Sequence, residues 1–334
     1  MISLCLDCIA GLCQEGRIVF YNTENCFDTK DDPFTDDNEF LPDSTRHWTG
    51  EKYHRKLVRI SQVLSAIDGW GMPVMAGLCE VENREVLEAL VWETPLAKYG
   101  YRIIQRDSPD PRGIDVALIY RADAFTPDSC EWLQVPLPAG SRTREILKVS
   151  GRLWGEVPVT IYINHWPSRS GGALASEPKR MMAAAVLRAS IDSILKADPR
   201  ANIIAMGDFN DEPGDHSLNS LVYESVSMAG DCQTAMINLS EQHEMANQSG
   251  TIKYAGTWST FDQVLASCSV INGTNGMQLV GEGAEICTAP FLLEPDPSYT
   301  GQRPCRTFIG PVYHNGFSDH LPVSIVVKRA QRRE

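Results

Sequence analysis

Four apolar runs in this chain stop abruptly on a polar side chain suited to chemistry. RIVFY (17–21) ends at Asn22, PVMAGLC (73–79) at Glu80, VTIYIN (159–164) at His165 and NIIAM (202–206) at Gly207-Asp208. Short runs this rich in Val, Ile and aromatic residues read as strands. A polar residue placed where such a strand leaves its sheet stands at a rim, where rigid scaffolds carry their reactive groups. A chain that repeats this feature is constrained to build sheets whose strand ends gather at one edge.

Further strands are expected at 101–105, 114–120, 147–153, 260–266 and 323–327. Between the first two runs, residues 51–68 place Leu57, Ile60, Leu64 and Ile67 at helical spacing, with Thr49 as N-cap and Glu51 in the first turn. Ser176 is expected to cap a second long helix reaching Lys196 and stopped by Asp198-Pro199. Strands dominate without a regular βαβ rhythm, which predicts an α+β fold or a layered sandwich. With 334 residues, 43% of them hydrophobic, the chain can bury one large core. A single domain over 17–330 behind an N-terminal tail of 1–16 is the expected organisation. The long stretch 273–316 reads as an irregular insertion.

A net charge of −13 argues against a general nucleic-acid coat, because neutralising many phosphates needs a basic face. It leaves open a nuclease whose cleft holds a few cations and a divalent metal. Three of the ten cysteines (Cys5, Cys8, Cys13) crowd the first 13 residues, and Cys5-x-x-Cys8 lacks the second Cys/His pair that a zinc finger needs. Cys287 and Cys305 bracket a Pro-rich loop, as a disulfide or as two free thiols. The segment MISLCLDCIAGLC is either the remnant of a signal peptide or a plain tail, since it lacks a basic start and carries Asp7. No run approaches 18 apolar residues, so no spanning helix is expected. The acidic run from Asp28 to Asp43 lacks the residue order of a calcium loop and reads as a surface loop. Three N-x-[ST] sites, at Asn238, Asn247 and Asn272, match chance at this length.

Four segments put catalytic residue types straight after apolar runs: YNTEN (21–25), LCEVEN (78–83), AMGDFND (205–211) and FSDHLP (317–322). Singly each is weak. Together, with His165 and the Asp262 of TFDQ, their order along the chain resembles the endonuclease/exonuclease/phosphatase superfamily, the deoxyribonuclease-I-like fold. The likeness runs from about Arg17 to Val327 and is closest in Gly207–Asn210 and Ser318–His320. NHWPSRSGG (164–172), GTWSTFDQ (256–263) and FSDHLP look most like a group of uncharacterised, often exported bacterial members. Export is therefore favoured slightly over a cytoplasmic location.

The resemblance implies a four-layer α/β/β/α sandwich of two mixed sheets flanked by helices. It implies a Mg²⁺-dependent phosphoesterase, with Mn²⁺ or Ca²⁺ as possible substitutes, that cleaves a phosphodiester by direct attack of water. The alternatives are a phosphomonoesterase or lipid phosphodiesterase and, less readily, a non-catalytic binding module. His320 would be the base, oriented by Asp262. Glu80 would be the principal metal ligand, with Asn22 and Asp319 beside it and Glu24 as a secondary ligand. Asp208 and Asn210 would position water and donate to phosphoryl oxygens, and His165 would contact the scissile phosphate. Asp115 would orient His165, while Arg169 and Trp258 would line the substrate site. A phosphate-ester substrate, with nucleic acid among the options, is the partner implied, and nothing calls for an obligate protein partner. The chain has no GxxxxGK[ST] loop, no HExxH helix and no GxSxG elbow, which removes the main support for NTPase, zincin and hydrolase-triad chemistry.

Overall fold

Strand β1 (Glu15–Cys26) lies parallel to β2 (Met75–Val81), and parallel neighbours can be joined only by a crossover. Helix α1 (Gly50–Ile67) makes that crossover, starting directly after Thr49, whose carbonyl accepts from Tyr53 N. The computed structural model describes residues 14–67, 69, 71–138, 140–222, 236–241 and 250–330. The Cys5-x-x-Cys8 pair, the rest of the tail up to 13, and Asn247 lie outside these described residues. After β2 come α2 (Arg84–Trp92), β3 (Tyr101–Gln105), β4 (Asp115–Arg121), β5 (Phe125–Leu133), β6 (Ile146–Leu153) and β7 (Val157–His165). A second crossover, α3 (Ala173–Ala197), then carries the chain to β8 (Ile203–Asp208), parallel to β7. The remainder comprises α4 (His216–Asn219), β9 (Met236–Asn238), the hairpin β10 (Ile252–Tyr254) and β11 (Thr257–Ser259), and β12 (Asp262–Ser267). It closes with α5 (Cys268–Asn272), β13 (Met277–Ile286), the ribbons β14 (Leu293–Pro295) with β15 (Gln302–Pro304) and β16 (Phe308–Ile309) with β17 (Val312–Tyr313), and β18 (Val323–Arg329).

Two six-stranded mixed sheets result, ordered β13-β18-β1-β2-β4-β3 and β5-β6-β7-β8-β12-β9. Their facing side chains form the central core: Ile18, Phe20, Met75 and Leu118 from one sheet against Leu147, Ile161, Ile163 and Met206 from the other. The sheets pack tightly at Gly77, where an added Cβ would stand 2.6 Å from Ile163 Cδ1. Outside the first sheet, Leu57, Ile60 and Leu64 of α1 and Leu87 and Leu90 of α2 cover Val19, Tyr21 and Leu78. Outside the second, Ala183, Leu187 and Ile191 of α3 cover Tyr162, Ile203 and Ala205. Helix, sheet, sheet and helix make the four layers, and each buried Leu or Ile contributes roughly 1.5–3 kcal/mol.

The absence of a regular βαβ rhythm holds, with just two such units, β1-α1-β2 and β7-α3-β8, among the described residues, one for each parallel pair. Several expectations are corrected. Helix α3 begins at Ala173, so Ser176 lies inside its first turn and bonds back to the Gly172 carbonyl at 2.8 Å. The stretch 273–316 is not wholly irregular, since β13 pairs with β18 as an edge strand. Strand β5 escaped notice because it is an edge with a largely exposed face and no apolar alternation. Cys287 and Cys305 are free thiols. In the acidic segment, Asp28, Asp32 and Asp37 accept from backbone N–H groups of Lys30, Phe34 and Asp32, which makes it a loop closed on its own carboxylates.

Candidate active site

The first sheet aims its polar residues by breaking its own register. The β1/β2 ladder shifts between Asn22 and Cys26, and the β2/β4 ladder shifts between Cys79 and Val81. Bulges of this kind re-aim side chains beside active sites. Within them Glu24, Asn25 and Glu80 take positive φ values of 52°, 51° and 57°. Such a conformation costs about 1–3 kcal/mol per non-glycine residue and persists only where the surroundings enforce it. Thr23 Oγ1 ties the two irregularities together by donating to the carbonyl of Cys79 (2.8 Å) and lying 3.1 Å from that of Glu80. Glu80 Oε2 accepts from Asn25 N at 2.9 Å.

The second sheet needs no bulge, because register does the work. In the parallel β7/β8 pair His165 lies beside Asp208, and in the antiparallel β8/β12 pair Asp262 lies beside Asp208. Gly207 is required just before Asp208, since a Cβ there would sit 2.4 Å from the Asn164 carbonyl oxygen. Asn210, also at positive φ (53°), turns the chain so that its backbone N–H donates to Asp208 Oδ1 at 2.9 Å and its amide to the Trp166 carbonyl at 3.1 Å.

The two sheets are joined across the cleft by polar contacts. His320, which precedes β18 of the first sheet, donates from Nδ1 to Asp262 Oδ2 of the second at 2.6 Å. Asn22 Nδ2 donates to Asp208 Oδ2 at 3.1 Å. Ser318 Oγ donates to the Asn22 carbonyl and accepts from His320 N, which holds the SDH turn against β1. His320 Nε2 faces Asp208 Oδ2 at 3.9 Å. Burial alone would lower the His320 pKa, but Asp262 and then Asp208 outweigh it, so the imidazole titrates well above its ordinary range. Asp208 moves upward too, through burial opposed by His320.

His165 behaves in the opposite way. Burial first, then Arg144, Arg112 and His320, hold its pKa well below the ordinary value. Its Nε2 lies 3.7 Å from Asp208 Oδ2 and 3.9 Å from Glu80 Oε1, and among the described residues its Nδ1 has no hydrogen-bonding partner. Arg144, paired with Asp110 at 2.7 Å, is buried behind the histidine and donates to the carbonyls of His165 and Trp166.

Glu80, Asn22, Asp208, His165, Asp262, His320 and Asn210 are thus linked by contacts at one edge of the sandwich. Asp319 stands at the rim, bonded by Arg306 at 2.8 Å. Glu24 departs from the expected ligand role: one oxygen accepts from Arg306 Nε at 3.1 Å and the other from Thr307 N at 2.7 Å, so it anchors the 306–307 loop instead. Asp115 does not hold His165; its carboxylate accepts from Gln105 and Ser108 N, in keeping with its place on β4. Arg169 does not present a free fork either, since Asp211, Asp215 and the Asn210 carbonyl take its donors and it lies over the Phe261 ring, which braces the GDFN turn. Trp258 sits on the β10/β11 hairpin, whose Ile252 bridges to His320. Arg112, 3.7 Å from Glu80, together with Arg144 and Arg306, was missed by sequence reasoning, because a lone arginine in a loop carries no pattern.

Two donor groups here fit a divalent cation. Glu80, Asn22 and Asp319 carry hard oxygens of the kind Mg²⁺ takes, and Glu80 Oε1 has the Arg112 guanidinium and the neutral His165 ring at 3.7 and 3.9 Å. Asp208, Asp262 and His320 have donor atoms within 4.8 Å of one another. In the second group His320 Nδ1 is already bonded to Asp262, which suits a proton-transfer pair better than a metal cage.

The profile of the Endonuclease/Exonuclease/phosphatase family matches residues 17–329, and the chain belongs to that family. It is accordingly an enzyme of the metal-dependent phosphoric ester hydrolase class. No protein of curated function matches the sequence. The fold is similar to that of truncated Caenorhabditis elegans TDP2 (12% identity, TM-score 0.55, covering 95% of this chain and 98% of that one). It is also similar to the human Nocturnin catalytic domain with bound sulfate (16%, 0.55, 94% and 94%). A mannosyl-6-phosphatase of Bacteroides thetaiotaomicron VPI-5482 shares it as well (15%, 0.56, 93% and 98%).

Proposed function

We propose that this enzyme hydrolyses a small phosphate diester by direct attack of water, with Mg²⁺ held by Glu80, Asn22 and Asp319. The observation that carries the reading is the 2.6 Å bond between His320 and Asp262, with the opposite face of the imidazole turned toward Asp208. His320 Nε2, once unprotonated, takes a proton from water as the oxygen–phosphorus bond forms and the ester bond opposite it breaks. Asp262 fixes the ring and balances its charge. Neutral His165 donates from Nε2 to a phosphoryl oxygen, and Asn210 and Asp208 orient the water. When bound, Mg²⁺ supplies charge neutralisation of the phosphate.

A diester is favoured over a monoester by charge. Beside Glu80 and Asp319 the rim offers two part-exposed guanidiniums, Arg112 and Arg306, and both already face carboxylates. A singly charged diester suits that balance better than a dianion. A small substrate is favoured over a long polyanion by the net charge of −13. Monoester hydrolysis is the second reading. It is supported by a cavity of about 140 Å³ lined by Glu24, Asn25, Arg46, Arg306, Phe308 and Gly310, which suits a compact polar leaving group such as a sugar. Turnover of bis-p-nitrophenyl phosphate against p-nitrophenyl phosphate, with Mg²⁺ and with chelator, separates the two. Chelator-resistant turnover, or none of either ester, overturns the proposal.

A further inference from the structure

A further cluster of side chains of metal-ligating type lies in the ribbon region between β13 and β18. Glu294 is on β14, Cys305 directly follows β15, and His314 directly follows β17. Their donor atoms lie within 4.8 Å of one another, and His314 Nε2 is 2.5 Å from Glu294 Oε2. The backbone fixes all three positions. Glu294 pairs with Arg303 in the β14/β15 ladder, Cys305 N donates to Leu292 O while its carbonyl accepts from Phe317 N, and His314 N donates to Thr307 O. Arg303 Nε donates to the other carboxylate oxygen, Oε1, at 2.8 Å. That leaves Oε2 bonded to His314 Nε2, a contact that an ion also held by Cys305 would replace, while the outer partner Arg303 orients the carboxylate.

The donor types narrow the ion. A thiolate and an imidazole select against Mg²⁺ and Ca²⁺ and suit Zn²⁺, which also accepts a carboxylate oxygen. We propose that Glu294 Oε2, Cys305 Sγ and His314 Nε2 bind one Zn²⁺, separate from the phosphate site. His314 is partly exposed, so water would be available to such an ion as a further ligand. Binding is ligand exchange without redox: the Cys305 thiol releases its proton to solvent as the sulfur–zinc bond forms, and His314 coordinates unprotonated. The residues next in sequence, Arg306 and Thr307, are those that bond Glu24 and Asp319, so the ion would clip the loop that walls the active-site rim.

Co²⁺ added to the chelator-treated full chain tests this, because a thiolate bound to cobalt gives a charge-transfer band that oxygen ligands do not. One equivalent should develop the band, and Zn²⁺ should abolish it by displacement. C305S should lose it, H314Q should weaken Zn²⁺ binding by at least about tenfold, and C5S/C8S and E80Q should keep it. Circular dichroism of each variant checks folding. Absence of the band in the folded natural chain, its persistence in C305S, or its loss in C5S/C8S would overturn the assignment. Because E80Q retains the band on this proposal, the result is independent of phosphoesterase activity.

Discussion

His320 and His165 are both buried, both face Asp208 Oδ2 and stand at the same edge of the sandwich, yet the protein drives their basicities apart. His320 has a carboxylate at Nδ1 and titrates high; His165 has Arg144 and Arg112 for neighbours and titrates low. Burial lowers both; in His165 the arginines add to it, whereas in His320 the carboxylates of Asp262 and Asp208 overcome it. One residue type thereby yields a group that holds a proton and a group that remains a neutral donor within one pocket, the division of labour that acid–base catalysis requires.

The largest expected effect that tests this contrast is removal of the base. His320→Ala should lower kcat/KM on the order of 10³-fold, and a loss of less than about tenfold would break the assignment. His165→Gln comes next, with about 10² lost if its N–H meets a developing phosphoryl charge. Its pH profile should keep the shape of the natural enzyme, because His165 is neutral throughout. The pH dependence itself is the third expectation. Because the carboxylates raise the His320 pKa, kcat/KM should climb about tenfold per unit of pH until His320 is unprotonated, at higher pH than a free histidine would need. Asp262→Asn removes the attraction that raises it and should move the climb to lower pH while reducing the plateau. Arg112→Gln should matter least: a half-exposed charge near Glu80 and His165 contributes about 0.2–1 kcal/mol, less than roughly fivefold in rate.

Much of this edge could be read from sequence because each strand announces its own end. An apolar run closing on Asn22, Glu80, His165 or Asp208 needs no knowledge of its neighbours, and the resemblance supplied Asp262 and His320. What escaped depended on distant partners. Whether Glu24 points at a cation or at Thr307 N is settled by a loop some 280 residues later in the chain. Asp115 reads in sequence as the residue that orients His165 and Arg169 as one that lines the substrate site, but Gln105 with Ser108, and Asp211 with Asp215, engage them first. The edge strands β5 and β13 lack the signal of central strands for a physical reason: with one side or face in water, nothing forces their sequences to be apolar.

The close contact at Gly77 reaches further than packing. His320 comes from one sheet and Asp262 from the other, and so do Asn22 and Asp208. The spacing between reacting groups is therefore gauged one layer down, where Phe20, Gly77, Ile163 and Met206 meet. An alanine at Gly77 would press first on the movable ends of Ile163 and Met206, and only the crowding that these cannot absorb would reach the bond between His320 and Asp262.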